Sequence, residues 1–170
     1  PDIQAAVKLL DSATSIAILY GAGARDASSE IVALAEKIKA SLTHTTRSKD
    51  MIDNHHPHYM GGIGLMGARA GNHAVHHCEV LLVIGSSFAF HEYYPKNAQI
   101  IQIDTDPTKI AKRTHVDCPI VGDAKIAVSQ LLKQVQIKTD EKFLKACHQA
   151  RSLNDKIEDW QNRESKPGKL

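Results

Sequence analysis

The sequence predicts an α/β domain, a three-layer sandwich with helices on both faces of a parallel sheet of five or six strands. Three observations carry this. Apolar runs of strand length alternate with longer stretches of helical period along the 170 residues. The clearest runs are apolar throughout, as strands buried on both faces must be. They stop at Gly or Asp, residues that favour tight loops. Together these describe a Rossmann-like arrangement, whose ligands sit outside the carboxyl ends of the strands.

The elements follow in order. Ile3–Leu10 places Ala6, Leu9 and Leu10 on one helical face. Ser15–Tyr20 is an apolar strand bounded by Gly21, and Ser28–Lys39 repeats Ile31, Leu34, Ala35 and Ile38 at helical spacing. Ser41–Thr46 is a weaker strand. A loop rich in His, Pro and Gly runs to about Gly64, and a helix spans Gly67–His77. Val80–Ile84 and Ile100–Ile103 are buried strands, and Pro107–Lys112 is a short helix with Pro in its first turn, where a missing N–H costs nothing. Ile120–Val121 is a short strand, Ala124–Val135 a helix, and Asp140–Arg163 a long polar helix anchored by Phe143, Leu144, Leu153, Ile157 and Trp160. Residues 1–163 read as one domain. Pro1 and the breaker-rich 164–170 read as the cut ends of something longer, 164–170 starting a linker to a further domain.

Composition narrows the function classes. A net charge of +2 without a Lys/Arg block argues against nucleic acid. No apolar run approaches the ~18 residues that span a bilayer. Cys78, Cys118 and Cys147 are odd in number and form no C-x-x-C pair, which reads as reduced thiols in a cytoplasmic protein.

Five loops gather at the predicted strand ends: Gly21–Arg25, Thr43–Thr46, Gly85–Phe88, Asp104–Asp106 and Gly122–Ala124. In the first, Gly21 and Gly23 permit a tight turn and close approach of the backbone to a ligand. A following helix start and Arg25 favour an anion. The alternative is a plain strand–helix turn capped by Asp26 or Ser28. Ordinary NAD binding is disfavoured, because Asp26 occupies the third glycine position and the second strand ends His44-Thr45-Thr46-Arg47 without a carboxylate. Asp104 supplies an acid from another strand, suited to a ribose or adenine. Asp106 and Asp123 are equally explained as ligand contacts or as helix caps.

The histidines invite a metal. His73 and His77 stand four apart on a predicted helix, and His55, His56 and His58 cluster upstream. No H-E-x-x-H glutamate accompanies them, and the reading is a solvated surface with no metal site. Among the aromatics, Phe88 is the candidate for stacking on a ligand ring.

The ordered motifs GAGAR, GLMGARAGNHAV (Gly64–Val75), VLLVIGSSFAFHEYYP (Val80–Pro95), AQIIQIDTDPTKIAKR (Ala98–Arg113) and VDCPIVGDAKIAV (Val116–Val128) resemble the central domain of thiamine-diphosphate-dependent enzymes. The resemblance covers about Pro1 to Val135 and looks closest to the pyruvate oxidase and pyruvate:quinone dehydrogenase branch. It implies a three-domain parent whose outer domains bind thiamine diphosphate and Mg2+ while the middle one carries extended FAD. By position it implies that Gly21, Gly23 and Arg25 face the pyrophosphate. It places Leu65, Met66 and Gly67 along the flavin half, with Gly85, Ser86, Ser87 and Phe88 beside flavin and ribityl chain. Asp104 and Thr105 match the adenosine pocket, Asp123 and Ala124 the loop over adenine, and Thr45 and Thr46 a loop near phosphates or flavin.

The implied parent is a homotetramer that converts pyruvate, phosphate and oxygen to acetyl phosphate, CO2 and H2O2, with quinone as another electron acceptor. No catalytic side chain is expected here, and the isolated domain is expected to be inactive. Acetolactate synthases usually carry Arg where this chain has Ser87, and Gly122-Asp123-Ala124 lacks the G-D-G of a diphosphate–Mg2+ site. Three rival readings remain: an ADP-binding or ligand-free scaffold domain of an enzyme such as acetolactate synthase, an assembly module, and a free-standing NAD-binding deacetylase-like protein.

Overall fold

The computed structural model describes residues 2–152. Six strands, β1 (Ile16–Tyr20), β2 (Ser41–His44), β3 (Tyr59–Gly62), β4 (Val80–Ile84), β5 (Gln99–Asp104) and β6 (Cys118–Val121), form one sheet in the order β3-β2-β1-β4-β5-β6. Every pairing is parallel. Helices α1 (Asp2–Ser12), α2 (Ser28–Ile38), α3 (Arg69–His77) and α4 (Ala124–Gln134) connect or flank the strands, and residues 142–152 are helical.

Alternation along the strands builds two cores. Ile16, Ile18 and Tyr20 of β1 join Leu82, Ile84, Ile101 and Ile103 against Leu10 of α1, Ile31 and Leu34 of α2, and Val128 and Leu131 of α4. Ala17 and Leu19 turn the other way and meet Leu81, Val83, Ala74 and Val75 of α3, with Leu144 and Cys147. This is the three-layer sandwich that the sequence predicts, with six parallel strands where it predicts five or six. The chain moves outward from β1 to β3, then returns to lay β4 beside β1. The crevice above β1 and β4 is thus the topological switch point, where such sheets bind ligands.

Several boundaries differ from expectation for local reasons. β3 falls in the segment read as loop, because its sequence is Tyr-Met-Gly-Gly, poor in β-formers, and its edge pairing to β2 is irregular between Leu42 and His44. β2 ends at His44 because Thr46–Ser48 closes a 3-10 turn, the Ser48 amide donating to the Thr45 carbonyl at 3.0 Å. Helix α2 stops at Ile38 because Lys39 adopts the left-handed conformation, φ 54°. Only Pro107–Lys109 is helical of Pro107–Lys112, as a single 3-10 turn, and Ala111 has φ 56°. Leu153, Ile157, Trp160 and the linker expected over 164–170 lie outside the described residues.

Two buried histidines make stability depend on pH. Burial pushes the His44 ring below its usual 6.5, against the opposing effect of its contact with the Thr45 carbonyl. His58, 2.7 Å from the Ala40 carbonyl, is likewise lowered chiefly by burial. The unfolded chain therefore takes up these protons first as pH falls. The stabilisation is complete above about pH 6.5 and declines as pH drops toward the lower folded values. The melting temperature is expected to fall between pH 7.5 and 5.5, with a shallower slope in His58→Gln. A flat profile in the unaltered chain would contradict this.

Candidate functional site

The sheet continues upward as a staircase of loop hydrogen bonds. The Gly21 amide donates to Ile84 O at 2.9 Å, Gly23 to Gly85 O at 3.1 Å, Gly85 to Ile103 O at 2.9 Å and Gly122 to Asp104 O at 3.0 Å. Each loop is thereby tied to the end of a neighbouring strand. Above them lies a groove of about 400 Å3 at the carboxyl edge of the sheet.

Ten of the sequence-predicted residues line this groove. Thr45 and Thr46 come from the β2 loop and Gly23 from the β1 loop. Gly85, Ser86, Ser87 and Phe88 follow β4, Asp104 and Thr105 end β5, and Ala124 opens α4. Asp104 is nearly buried, and its Oδ1 accepts from the Asp106 amide at 3.0 Å. Its other carboxylate oxygen accepts no hydrogen bond from the described residues.

The remaining six stand elsewhere. Gly21 lies beneath the lining, where an added Cβ would come 2.5 Å from Gly85 O. A six-residue 3-10 turn, Ala22–Ala27, separates it from α2, so no helix begins directly at the glycines. Arg25 points to Asp50, at 2.9 and 3.0 Å, and holds that carboxyl below its ordinary range by hydrogen bonding. Asp123 caps α4 by accepting from the Ile126 amide at 3.0 Å, and Asp106 likewise accepts from the Thr108 amide. Leu65 and Met66 form an exposed tip, 86% and 95% accessible. Met66 and Gly67 line a different cavity of about 530 Å3 beside Tyr59 and Arg151. The tip's loop nonetheless reaches the groove wall, since a Cβ on Gly64 would sit 3.4 Å from Phe88 Cζ.

Other residues complete the site. Ala22 and Gly122, in loops the sequence already places at this edge, line the groove, as do Arg47, Phe90, Ile103 and Lys109, which sequence reasoning passed over. Arg47 directly follows Thr45-Thr46, and that adjacency was the available signal. Phe90 packs edge-on against Phe88, ring centroids 5.5 Å apart, and is 54% exposed. Gln102, hidden within an apolar strand, is a buried strut. Its Nε2 donates to Ser86 O at 3.4 Å and Lys109 O at 3.2 Å, while its Oε1 accepts from Ala111 N at 3.0 Å. It fastens the β4 and β5 loops to each other.

The histidine pair is a stacked surface feature, His73 and His77 centroids lying 4.2 Å apart with His77 Nδ1 against His73 O. Among the described residues no group of three or more His, Cys, Asp or Glu is placed to hold a metal ion. Burial pushes the thiols of Cys78 and Cys147 up to about 12, which leaves them as unreactive thiols.

Comparison with known proteins agrees with this architecture. The profile of the thiamine pyrophosphate enzyme central domain matches residues 3–131. An uncharacterized 42.6 kDa protein of Pseudomonas amyloderamosa is 33% identical over 86% of this chain and 37% of its own length. A probable acetolactate synthase large subunit of Methanocaldococcus jannaschii is 34% identical over 97% of this chain and 30% of its own. Pyruvate oxidase of Lactiplantibacillus plantarum is 31% identical over 79% of this chain and 23% of its own. The chain thus spans between 23% and 37% of the length of these relatives. With the match covering the whole sheet and all of the groove's loops, the chain belongs to the central-domain family of thiamine pyrophosphate enzymes.

Proposed function

We propose that the groove binds FAD and that the parent protein is a flavin-dependent, thiamine diphosphate-dependent pyruvate oxidase. The observation that best supports this is the graded chemistry along the groove. Strand order sets the nearly buried Asp104 carboxylate beside Gly122 at one end, Gly23 and Gly85 in the middle, and Thr45–Arg47 at the other. A methyl built on Gly122 meets no protein atom within 4 Å, so there is room beside Asp104 for a sugar or base. Phe88 and Phe90 offer apolar faces where the groove leaves the β4 loop toward Gly64.

In this reading Asp104 accepts a hydrogen bond from a ribose hydroxyl, the middle of the groove lets a diphosphate pass close to the main chain, and the aromatic wall keeps water from the ring. Bound FAD supplies the two-electron redox chemistry. The groove's residues bind and orient; none is assigned as acid or base. Thiamine diphosphate and Mg2+ belong to other domains of the parent, which takes pyruvate, with phosphate and oxygen or quinone as acceptors, as a cytoplasmic homotetramer. The pyruvate oxidase relative and Ser87, in place of the arginine usual in acetolactate synthases, support this choice. The acetolactate synthase relative, similar over nearly the whole chain, supports a second reading in which the domain is a nucleotide-binding scaffold of that enzyme.

Titration with FAD, ADP and NAD separates the possibilities. FAD is expected to bind with quenched fluorescence and to raise the melting temperature, by about 2.7 kcal/mol of added stability at a hundredfold excess over Kd. ADP should bind more weakly and NAD not measurably. A preparation that is colourless and indifferent to FAD would sink the flavin reading; a response to ADP alone would favour the scaffold.

A further inference from the structure

Two arginines sit on adjoining turns beside the groove and have different partners. Arg25 directs both terminal nitrogens at the Asp50 carboxylate, and its Nη2 also reaches Arg47 O at 3.4 Å. Its planar fork already has the bidentate acceptor that suits it. Arg47 lies in the groove lining, and among the described residues its guanidinium has no ion pair and no hydrogen bond. Lys109, another cation at the groove, stands 3.7 Å from Asp106. The turn bearing Arg47, Thr46–Ser48, is anchored beneath, with Ser48 Oγ donating to Tyr20 O at 3.0 Å and Ser48 N to Thr45 O at 3.0 Å.

We propose that Arg47, and not Arg25, is the cation that meets the ligand's diphosphate, while the Arg25–Asp50 pair clamps the turn that presents it. The inference rests on the FAD reading above and supplies the positive charge that reading needs. A diphosphate approaching Arg25 must compete with a carboxylate held in the same chain. At Arg47 it meets no such competitor among the described residues. Asp104 and the main chain discriminate and shape, but neither offsets the ligand's negative charge.

The two arginine assignments differ in sign for one substitution. If Arg25 held the phosphates, Asp50→Asn would release it and tighten binding, whereas Arg25→Ala would weaken it. For a clamp, Asp50→Asn and Arg25→Ala both raise Kd by about two- to fivefold, and the double variant goes no further than either. Arg47→Gln removes the contact itself and should raise the Kd of FAD and of ADP about ten- to hundredfold, with a flatter salt dependence. Arg47→Lys should recover part of the loss.

The test is fluorescence and calorimetric titration of the chain and these variants with FAD and ADP at two salt concentrations. Thermal melts check the fold; the Arg25 and Asp50 side chains are 50% and 73% exposed. Tighter binding by Asp50→Asn, or unchanged binding by Arg47→Gln, overturns the inference and leaves the FAD reading standing. Failure of the unaltered chain to bind either nucleotide overturns both.

Discussion

Gly85→Ala is expected to destabilise the chain by about 3 kcal/mol and to lower its melting temperature on the order of 10 °C. Gly85 has φ 59°, a left-handed conformation that disfavours any Cβ. The added methyl would also fall 2.4 Å from the Gly23 carbonyl carbon and 2.5 Å from Ala24 N. Both are main-chain atoms, and rotamer changes cannot relieve the clash. Moving the Ala22–Ala27 turn away would break the Gly23–Gly85 hydrogen bond and widen the crevice between β1 and β4, so ligand affinity should fall along with stability. Gly122→Ala is the control, because its Cβ meets nothing, and it should change stability by less than ~0.5 kcal/mol. Denaturant melts of both variants check this. Equal stabilities would show that the loops adjust and that their interlock does not hold the crevice.

That interlock explains why part of the site was legible and part was not. Strands β1 and β4 are buried on both faces and announce themselves as unbroken apolar runs, β5 as one interrupted only by Gln102, and the Gly or Asp ending each locates the loops. β3 carries half its length as glycine and lies at an edge, so its pairing comes from tertiary context. In the sequence, Gly21 and Gly23 read as places where the main chain comes close to a ligand. What approaches there is the Gly85 segment, and sequence cannot distinguish a loop neighbour from a ligand. Arg25 was assigned to an anion by its place after the glycines. Its Asp50 partner lies 25 residues away on a turn that no local signal pairs with it. Gln102 was invisible for the opposite reason, a single polar residue whose three partners all arise from folding.

Asp104→Asn should raise the Kd of FAD and ADP about ten- to hundredfold with little change in melting temperature. The nearly isosteric amide keeps an oxygen to accept from Asp106 N, so the turn after β5 is preserved. Its nitrogen then replaces the carboxylate oxygen that has no donor among the described residues. A ribose hydroxyl donating to that oxygen would face a donor instead, and a charge-assisted hydrogen bond of about 1.5–3 kcal/mol would be lost, the origin of the fold-change. Asp104→Ala should match Asn in affinity but also lose stability, because the Asp106 amide is left unpaired. This separation distinguishes a ligand contact from a structural carboxylate. If Asn binds both nucleotides as tightly as Asp, with only Ala impaired, Asp104 serves the turn alone and the adenosine end of the groove must be sought elsewhere along the rim.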